Sequence, residues 1–552
     1  MKKLFLLIIS MILFSSSVFA QGLIITNSQD WRDVYSVEIF GNLMEINTLF
    51  LTGQRHATII HFSLPKTNIE IVSSSDDPYV VGFDTMLEGQ GFDDVTEVAY
   101  DNVNLELARR LEGVNKFVVV DDSYGYNALA VASFASMADY YVLFADERTI
   151  GQVLDYLSNI DVQDVMIFGQ TDRDVRDALQ VYNPELINTG DRFDNNIEIV
   201  KRYLALRPTK QAILTNGEFI EQSLMDGFDP VLFIGKTNVP EQIQEFIKGS
   251  DIDIGILVGN ELIGTATTIR RQVGISVFVK FAQGARTPGG SISAVEDLDK
   301  FSMPMYEFDF SIFSVFYNQA TNYLEVTYRN NAEIANYFRS TISIFSGDQT
   351  LVVGDDGPVF IDGNEYKTII YELELIESNN ITAEFFTIFG ESKKSLEYAL
   401  QGSFRVEVIT VFDQALINMT GLYYDTRAKA FFVEFENFGE VDAFVDVELV
   451  DIWVNGQLVT IGGDEIVVIS AGKKGRIKAS VELAEEDMNH RLNQQIDVKA
   501  LYGQRENALI KVLRGTFEFK LKKADFVLYF LITVVVILFF LVLFKRRKKK
   551  EE

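Results

Sequence analysis

The stretch LIITNSQDWRDVYS, residues 23–36, runs from an apolar segment into a knot of charge around a tryptophan. Two later stretches have the same form: FVVVDDSYGYNALA at 117–130 and QAILTNGEFIEQSL at 211–224. Thr26, Val120 and Thr215 hold equivalent places, 94 and then 95 residues apart. Further strand-like runs follow in step, NTLFLTG, YYVLFAD and PVLFIGK, and then IEIVS, VMIFG and GILVG. A repeat at this period is the primary fact about the first half of the chain.

Between the strand-like runs the apolar residues take a helical spacing. Ile150, Val153, Leu154 and Leu157 share one face behind Thr149, which suits an N-cap. Val239, Ile243 and Ile247 do the same, with Pro240 in the first turn and Gly249 at the stop. The strands are continuously apolar, as strands covered on both faces are. Residues 21–288 therefore read as an α/β module of three units, about 21–115, 116–210 and 211–288, each a small, mostly parallel sheet with helices.

A strand that ends in a polar turn, then an aromatic residue, then an acid opening a helix, resembles the type 2 cell-wall-binding repeat. The copy closest to that pattern is DWRDVYS, Asp30–Ser36, with Trp31 as the aromatic and Asp33 as the acid. Gly190-Asp191-Arg192-Phe193 resembles the family's second signature. The resemblance implies three repeats about a pseudo-threefold axis that dock a surface protein onto anionic wall polymers. It implies ligand contacts at Trp31, Asp33 and Arg192, and at Asn127 and Glu221, which stand where the acid belongs in the second and third copies. Those two positions depart from the pattern, and only one copy carries the Gly-Asp-Arg-aromatic element. On the residues alone, Trp31 is a packing aromatic and Asp33 a helix-start carboxylate.

Composition shifts over Gly284–Met305 around a Pro-Gly-Gly core at 288–290; 289–305 reads as a linker, and β patterning begins beyond it. Leu324, Val326 and Tyr328 alternate with Glu325, Thr327 and Arg329, and Ile477, Ala479 and Val481 alternate with Lys478, Ser480 and Glu482. VTYRNNAE from Val326 matches VEFENFGE from Val433, and FGESKKSLEYALQGSF from Phe389 matches YGQRENALIKVLRGTF from Tyr502. Two tandem all-β immunoglobulin-like sandwiches, 306–412 and 413–522, fit this pattern. Asn380 and Asn418 head glycosylation sequons.

The ends predict the compartment. Residues 1–20 have a basic start, an apolar middle and small residues before Ala20, a secretory signal with cleavage between Ala20 and Gln21. Residues 526–544 carry no charge and precede a basic tail, 545–552. This predicts one transmembrane helix anchored in the lipid bilayer, with the large N-terminal region outside and the short tail in the cytoplasm.

A net charge of −30 argues against nucleic acid as a partner. The absence of cysteine excludes disulfides, thiolate metal sites and cysteine nucleophiles. Asp121 and Asp122 at a strand end read either as a divalent-metal pair or as helix-capping carboxylates; Asn27 and Asn216 at the matching places favour capping. The three histidines supply no zinc site. Gly354–Glu365 lacks the spacing of a calcium loop and reads as a hairpin.

The chain is thus expected to be a non-catalytic, membrane-anchored surface protein whose head contacts a cell-wall, S-layer or envelope glycopolymer. No cofactor is expected, a divalent cation such as calcium being the open alternative for an acidic head. Two rival expectations are a self-associating surface-layer or adhesion component, and a metal-dependent envelope hydrolase acting at Asp121 and Asp122.

Overall fold

A computed structural model describes residues 22–259, 262–280, 299–305, 307–347, 349–374 and 380–522. The expected signal peptide (1–20), the span at 526–544 and the tail at 545–552 lie outside the described residues. The chain forms two compact units. One comprises Met1–Val315, Tyr328–Tyr366 and Ile376–Glu407; the other comprises Phe316–Thr327, Lys367–Leu375 and Val408–Glu552.

The first unit opens with β1 (Leu23–Asn27), α1 (Trp31–Met44), β2 (Asn47–Phe50), α2 (Gln54–Ile60), β3 (Ile69–Ser74), α3 (Phe83–Gly89) and β4 (Val95–Tyr100). Next come α4 (Val103–Arg110), β5 (Lys116–Val120), α5 (Tyr126–Ala138), β6 (Tyr140–Phe144), α6 (Ile150–Ser158), β7 (Asp164–Phe168), α7 (Arg173–Leu179) and β8 (Glu185–Ile187). The third series runs α8 (Arg192–Leu206), β9 (Gln211–Thr215), β10 (Phe219–Ile220), α9 (Gln222–Met225), β11 (Val231–Phe233), α10 (Glu241–Gly249), β12 (Ile254–Val258), α11 (Ile263–Gln272) and β13 (Ser276–Lys280). A short strand, β14 (Phe301–Ser302), follows.

Three small parallel sheets result, ordered β2-β1-β3-β4, β6-β5-β7-β8 and β11-β9-β12-β13. The sequence alignment of Thr26, Val120 and Thr215 is physical. They lie opposite Phe50, Phe144 and Phe233, and their carbonyls accept from the amides of Leu51, Ala145 and Ile234 at 3.0, 3.0 and 2.8 Å. One apolar core runs through all three sheets, with Tyr35, Val119, Leu129 and Leu214 fully buried in it. A second core lies under the first sheet around Ile25, Ile71 and Phe83.

In each sheet the second strand is an edge, and an edge needs partners for its free backbone groups. Asn104 on α4 supplies them to β6: its amide donates to Val142 O at 2.8 Å and accepts from Phe144 N. Asn196 on α8 does the same for β11, donating to Val231 O at 2.9 Å and accepting from Phe233 N at 2.8 Å. At β2 the donor is Gln222, to Thr48 O at 2.5 Å.

Two local expectations change and one holds. The loop before α6 is organised by Asp146, which accepts from the amides of Arg148 and Thr149; Thr149 makes no side-chain cap. Asp33 stands in the first turn of α1, the helix-start carboxylate expected, and the cap before it is Asp30. Residues 301–304, expected to close a linker, belong to the head: β14 pairs with β10, and Phe301 and Met303 are buried.

Also in the first unit, strand Asn336–Ser346 pairs antiparallel with Gln349–Gly354, Val359–Ile361 and Ile381–Gly390, and the last of these pairs with Tyr398–Ile409. The second unit holds a three-stranded antiparallel sheet built on Ala430–Asn437 and a second sheet built on Ala443–Val454 and Gln495–Gly503. They enclose a core that includes Phe431, Val447, Ile477 and Val498. Ile477 and Ala479 face inward and Lys478 and Ser480 outward, as alternation predicts. Glu325 and Thr327 do not meet water as expected; each is 1% exposed. The reason is the hairpin after Gly503: Arg505 donates to Glu325 at 2.7 Å, and Asn507 O accepts from Thr327.

The single-pass membrane assignment is corrected to what the described residues show. Among the described residues no helix is long and apolar enough to cross a bilayer. The longest, α8, has 15 residues and a charged face, against about 20 apolar residues needed to span.

Candidate functional site

A cleft of about 520 Å³ opens at the C-terminal ends of β1 and β5, where the first two repeats meet. Ligand sites of α/β sheets favour that end of the strands. Its walls are Gln29, Asp30, Trp31 and Arg32 from the first repeat, Asp77 from the loop after β3, and Asp122 from the second repeat; Phe301, Ser302 and Pro304 close one side.

The loop that forms the first wall is fixed from below. Asn27 is fully buried, and its amide donates to Val80 O at 2.7 Å and Ser73 Oγ at 2.9 Å. Ser28 then turns the chain, its hydroxyl accepting from Asp30 N and donating to Asp33 at 2.7 Å. Asp30 accepts from Arg32 N at 2.9 Å, which starts α1 with a carboxylate at its positive end.

Arg32 lies between two carboxylates. It grips Asp30 through Nε at 2.9 Å and Nη2 at 2.5 Å, and reaches across to Asp122 with Nη1 at 2.5 Å. Asp30, then Asp122, hold its guanidinium more firmly protonated than usual. Asp33, beneath the loop, is pushed up to about 6 by burial, against the pull of Ser28. Trp31 turns inward, 7% exposed, its ring edge-on to Phe144 of the second repeat at 5.2 Å. The third side is a strap. Pro304 O accepts from Gly125 N at 3.2 Å, Met303 N donates to Glu218 O at 2.9 Å, and Phe301 meets Phe50 at 6.2 Å. The strap therefore touches all three repeats beside the cleft.

Of the five residues marked as ligand contacts by resemblance, only Trp31 lines this cleft. Asp33 is bonded beneath it. Asn127 is 6% exposed on α5, packed under Gly169. Glu221 caps α9 through Ser223 N at 3.0 Å and pairs with Lys280 at 2.9 Å. Arg192 is 5% exposed and held by Glu391 and Glu397, so it is closed to any external ligand. Asp30 and Arg32 belong to the charged knot around Trp31 but are given no ligand role by the sequence reading, and Asp77 is not marked by it. The signal for the first two was present in the alternation Asp30–Arg32 at a helix start, but nothing local places Asp122 against them.

Asp121 and Asp122 do not act as a pair: Asp121 accepts from Ser123 N at 2.9 Å while Asp122 turns to Arg32. Burial raises Asp121 above the ordinary carboxylate range. Among the described residues no three His, Cys, Asp or Glu side chains gather as a metal site. Asn380 and Asn418 are both exposed.

No family model matches the chain, and no curated protein sequence matches it. Solved structures align with parts of it at low scores. A tetra-tandem repeat from the extending region of a large adhesion protein aligns at 12% identity and a TM-score of 0.15, over 40% of this chain and 52% of that one. The class 5 fimbriae chaperone CfaA aligns at 11% identity and 0.14, over 38% and 99%. The transglutaminase of red sea bream aligns at 10% identity and 0.14, over 40% and 32%. The chain thus spans about half the adhesion-protein structure and a third of the transglutaminase. Likenesses of this size carry no functional argument.

Proposed function

We propose that the protein is a non-catalytic surface or adhesion protein whose three-repeat head holds a cell-envelope glycopolymer in the cleft between its first two repeats. The observation that carries this reading is the Asp30–Arg32–Asp122 bridge at the strand ends. Two carboxylates gripping one guanidinium are poorly placed to shuttle protons, because each would have to surrender a charge-assisted hydrogen bond first. They are well placed to bind hydroxyl groups, since all three residues line the cleft and keep lone pairs and N–H groups beyond those used in the bridge.

The same charges favour one kind of polymer. Asp30, Asp77 and Asp122 outweigh Arg32, so a neutral or amine-bearing glycan suits the cleft better than a polyanion. The chain's charge of −30 acts in the same direction at long range. Anionic wall polymers, which the repeat resemblance implies, would require bridging cations. A glycan screen of the full chain tests this, run with and without calcium. Retention of neutral or amino-sugar polymers that Arg32→Ala abolishes supports it; indifference to Arg32 refutes it.

A further inference from the structure

The hairpin joining Ile381–Gly390 to Tyr398–Ile409 is seated in a groove of the head, at the junction of the second and third repeats. Arg192 lies between Glu391 and Glu397, and its amide donates to Glu391 at 3.0 Å. The main chain of the hairpin is read as well: Asn238 N donates to Glu397 O at 3.0 Å, Asn238 Nδ2 to Leu396 O at 2.5 Å, and Ala399 N to Thr237 Oγ1 at 2.7 Å. Gln242 donates to Ser395 Oγ at 2.7 Å. The close approach depends on Gly235, where a Cβ would stand 2.5 Å from Glu397 O. The equivalent position after β6 is Asp146, whose side chain would obstruct a similar hairpin.

The matching hairpin of the second unit, after Gly503, has the opposite charge logic. Gln504 and Ile510 replace the two glutamates, and Arg505 instead meets the buried Glu325 at 2.7 Å. Thr327 and Thr368 both donate to Asn507 O at 3.1 Å. The two copies of one hairpin thus present an acid to an arginine in one place and an arginine to an acid in the other.

We propose that the groove formed by Asp191, Arg192, Gly235–Asn238 and Gln242 is a peptide-recognition site for a hairpin carrying two glutamates six residues apart. The chain's own residues 390–399 fill it, and reversed charge bars the 503–510 hairpin. A wrong pairing would bury Arg192 without a counter-charge, the costly mismatch that makes discrimination strong. Order among the modules is then encoded in charge. The site is separate from the cleft, and its failure leaves the glycan reading untouched.

The test titrates the full chain with two labelled peptides, residues 389–400 and 502–513. The resident hairpin acts at high effective concentration, so the wild-type chain binds neither. In a Glu391→Gln/Glu397→Gln chain the Ala399 amide exchanges at least tenfold faster. That chain binds the 389–400 peptide, and the 502–513 peptide at least tenfold more weakly; adding Arg192→Met removes the binding. Equal affinity for both peptides overturns the proposal, as does no binding by the released chain. Unchanged exchange at Ala399 also overturns it. Should the double variant lose its native circular dichroism, Glu397→Gln alone carries the same expectations.

Discussion

Arg32 of the first repeat donates to Asp122 of the second at 2.5 Å, across a boundary of ninety residues of sequence. The same guanidinium holds Asp30, the residue that starts its own helix. One side chain therefore shapes the cleft and joins two repeats. Arg32→Ala is expected to cost about 1 kcal/mol of stability, because the arginine is 43% exposed and water screens the pair. Thermal unfolding measures that modest loss, while glycan binding falls far more. A loss of several kcal/mol would make Arg32 a structural residue.

Glu38 on α1 is fully buried, with Thr48 donating to it at 2.7 Å. Burial pushes it up to about 7, and Glu221 adds to the push. The folded state thus binds a proton that the unfolded chain releases at lower pH. Asp33 and Asp226, each pushed up to about 6 by burial, behave alike. Their contribution to stability is complete only below the ordinary carboxylate range and is lost progressively as pH rises through that range toward 7. Glu38→Gln should remove part of that slope and stabilise the chain at pH 8 by on the order of 2–3 kcal/mol. Urea denaturation at pH 5 and pH 8 checks it; an equal effect at both pH values would count against the assignment.

Asn104 and Asn196 perform one task at two junctions, each satisfying a carbonyl and an amide of the next repeat's edge strand. Replacing either by Ala leaves a buried carbonyl without its donor, at about 1–3 kcal/mol per site. Asn→Leu, which adds bulk and no polar group, is expected to be at least as harmful. Equilibrium denaturation of both single variants measures the cost, and near-neutral values would refute the shared role.

Gly235→Ala sets a methyl group against Glu397 O and Asn238 O. The hairpin must shift, at about 1–3 kcal/mol of strain. Faster hydrogen exchange at Ala399, with protection on β9 unchanged, is the expected signature; uniform exchange changes would indicate general unfolding instead.

Much of the head was legible because strand and helix periods recur with the chain's own repeat. Thr26, Val120 and Thr215 align by sequence and make the same backbone bond. The sites were less legible, for a physical reason. Arg192 is signed locally as a helix-start arginine, yet its partner Glu397 lies 205 residues on. Phe301 and Met303 sit among linker-like residues, and only the paired β10 and the space at Gly125 reveal that they belong to the core. Glu325 has the spacing of a solvent-facing strand residue, and the hairpin that covers it comes 180 residues later. Periodicity reports the faces of an element and is silent on which distant segment covers them.

The cleft between the first two repeats is proposed to bind a neutral or amine-bearing glycan. This is tested most directly by measuring, by calorimetry, the affinity of the full chain for envelope polysaccharide fractions, in parallel with Arg32→Ala and Asp122→Asn. The expected result is saturable binding to an uncharged or amino-sugar fraction that weakens at least tenfold in both variants. Binding that is unaltered by either substitution would contradict it.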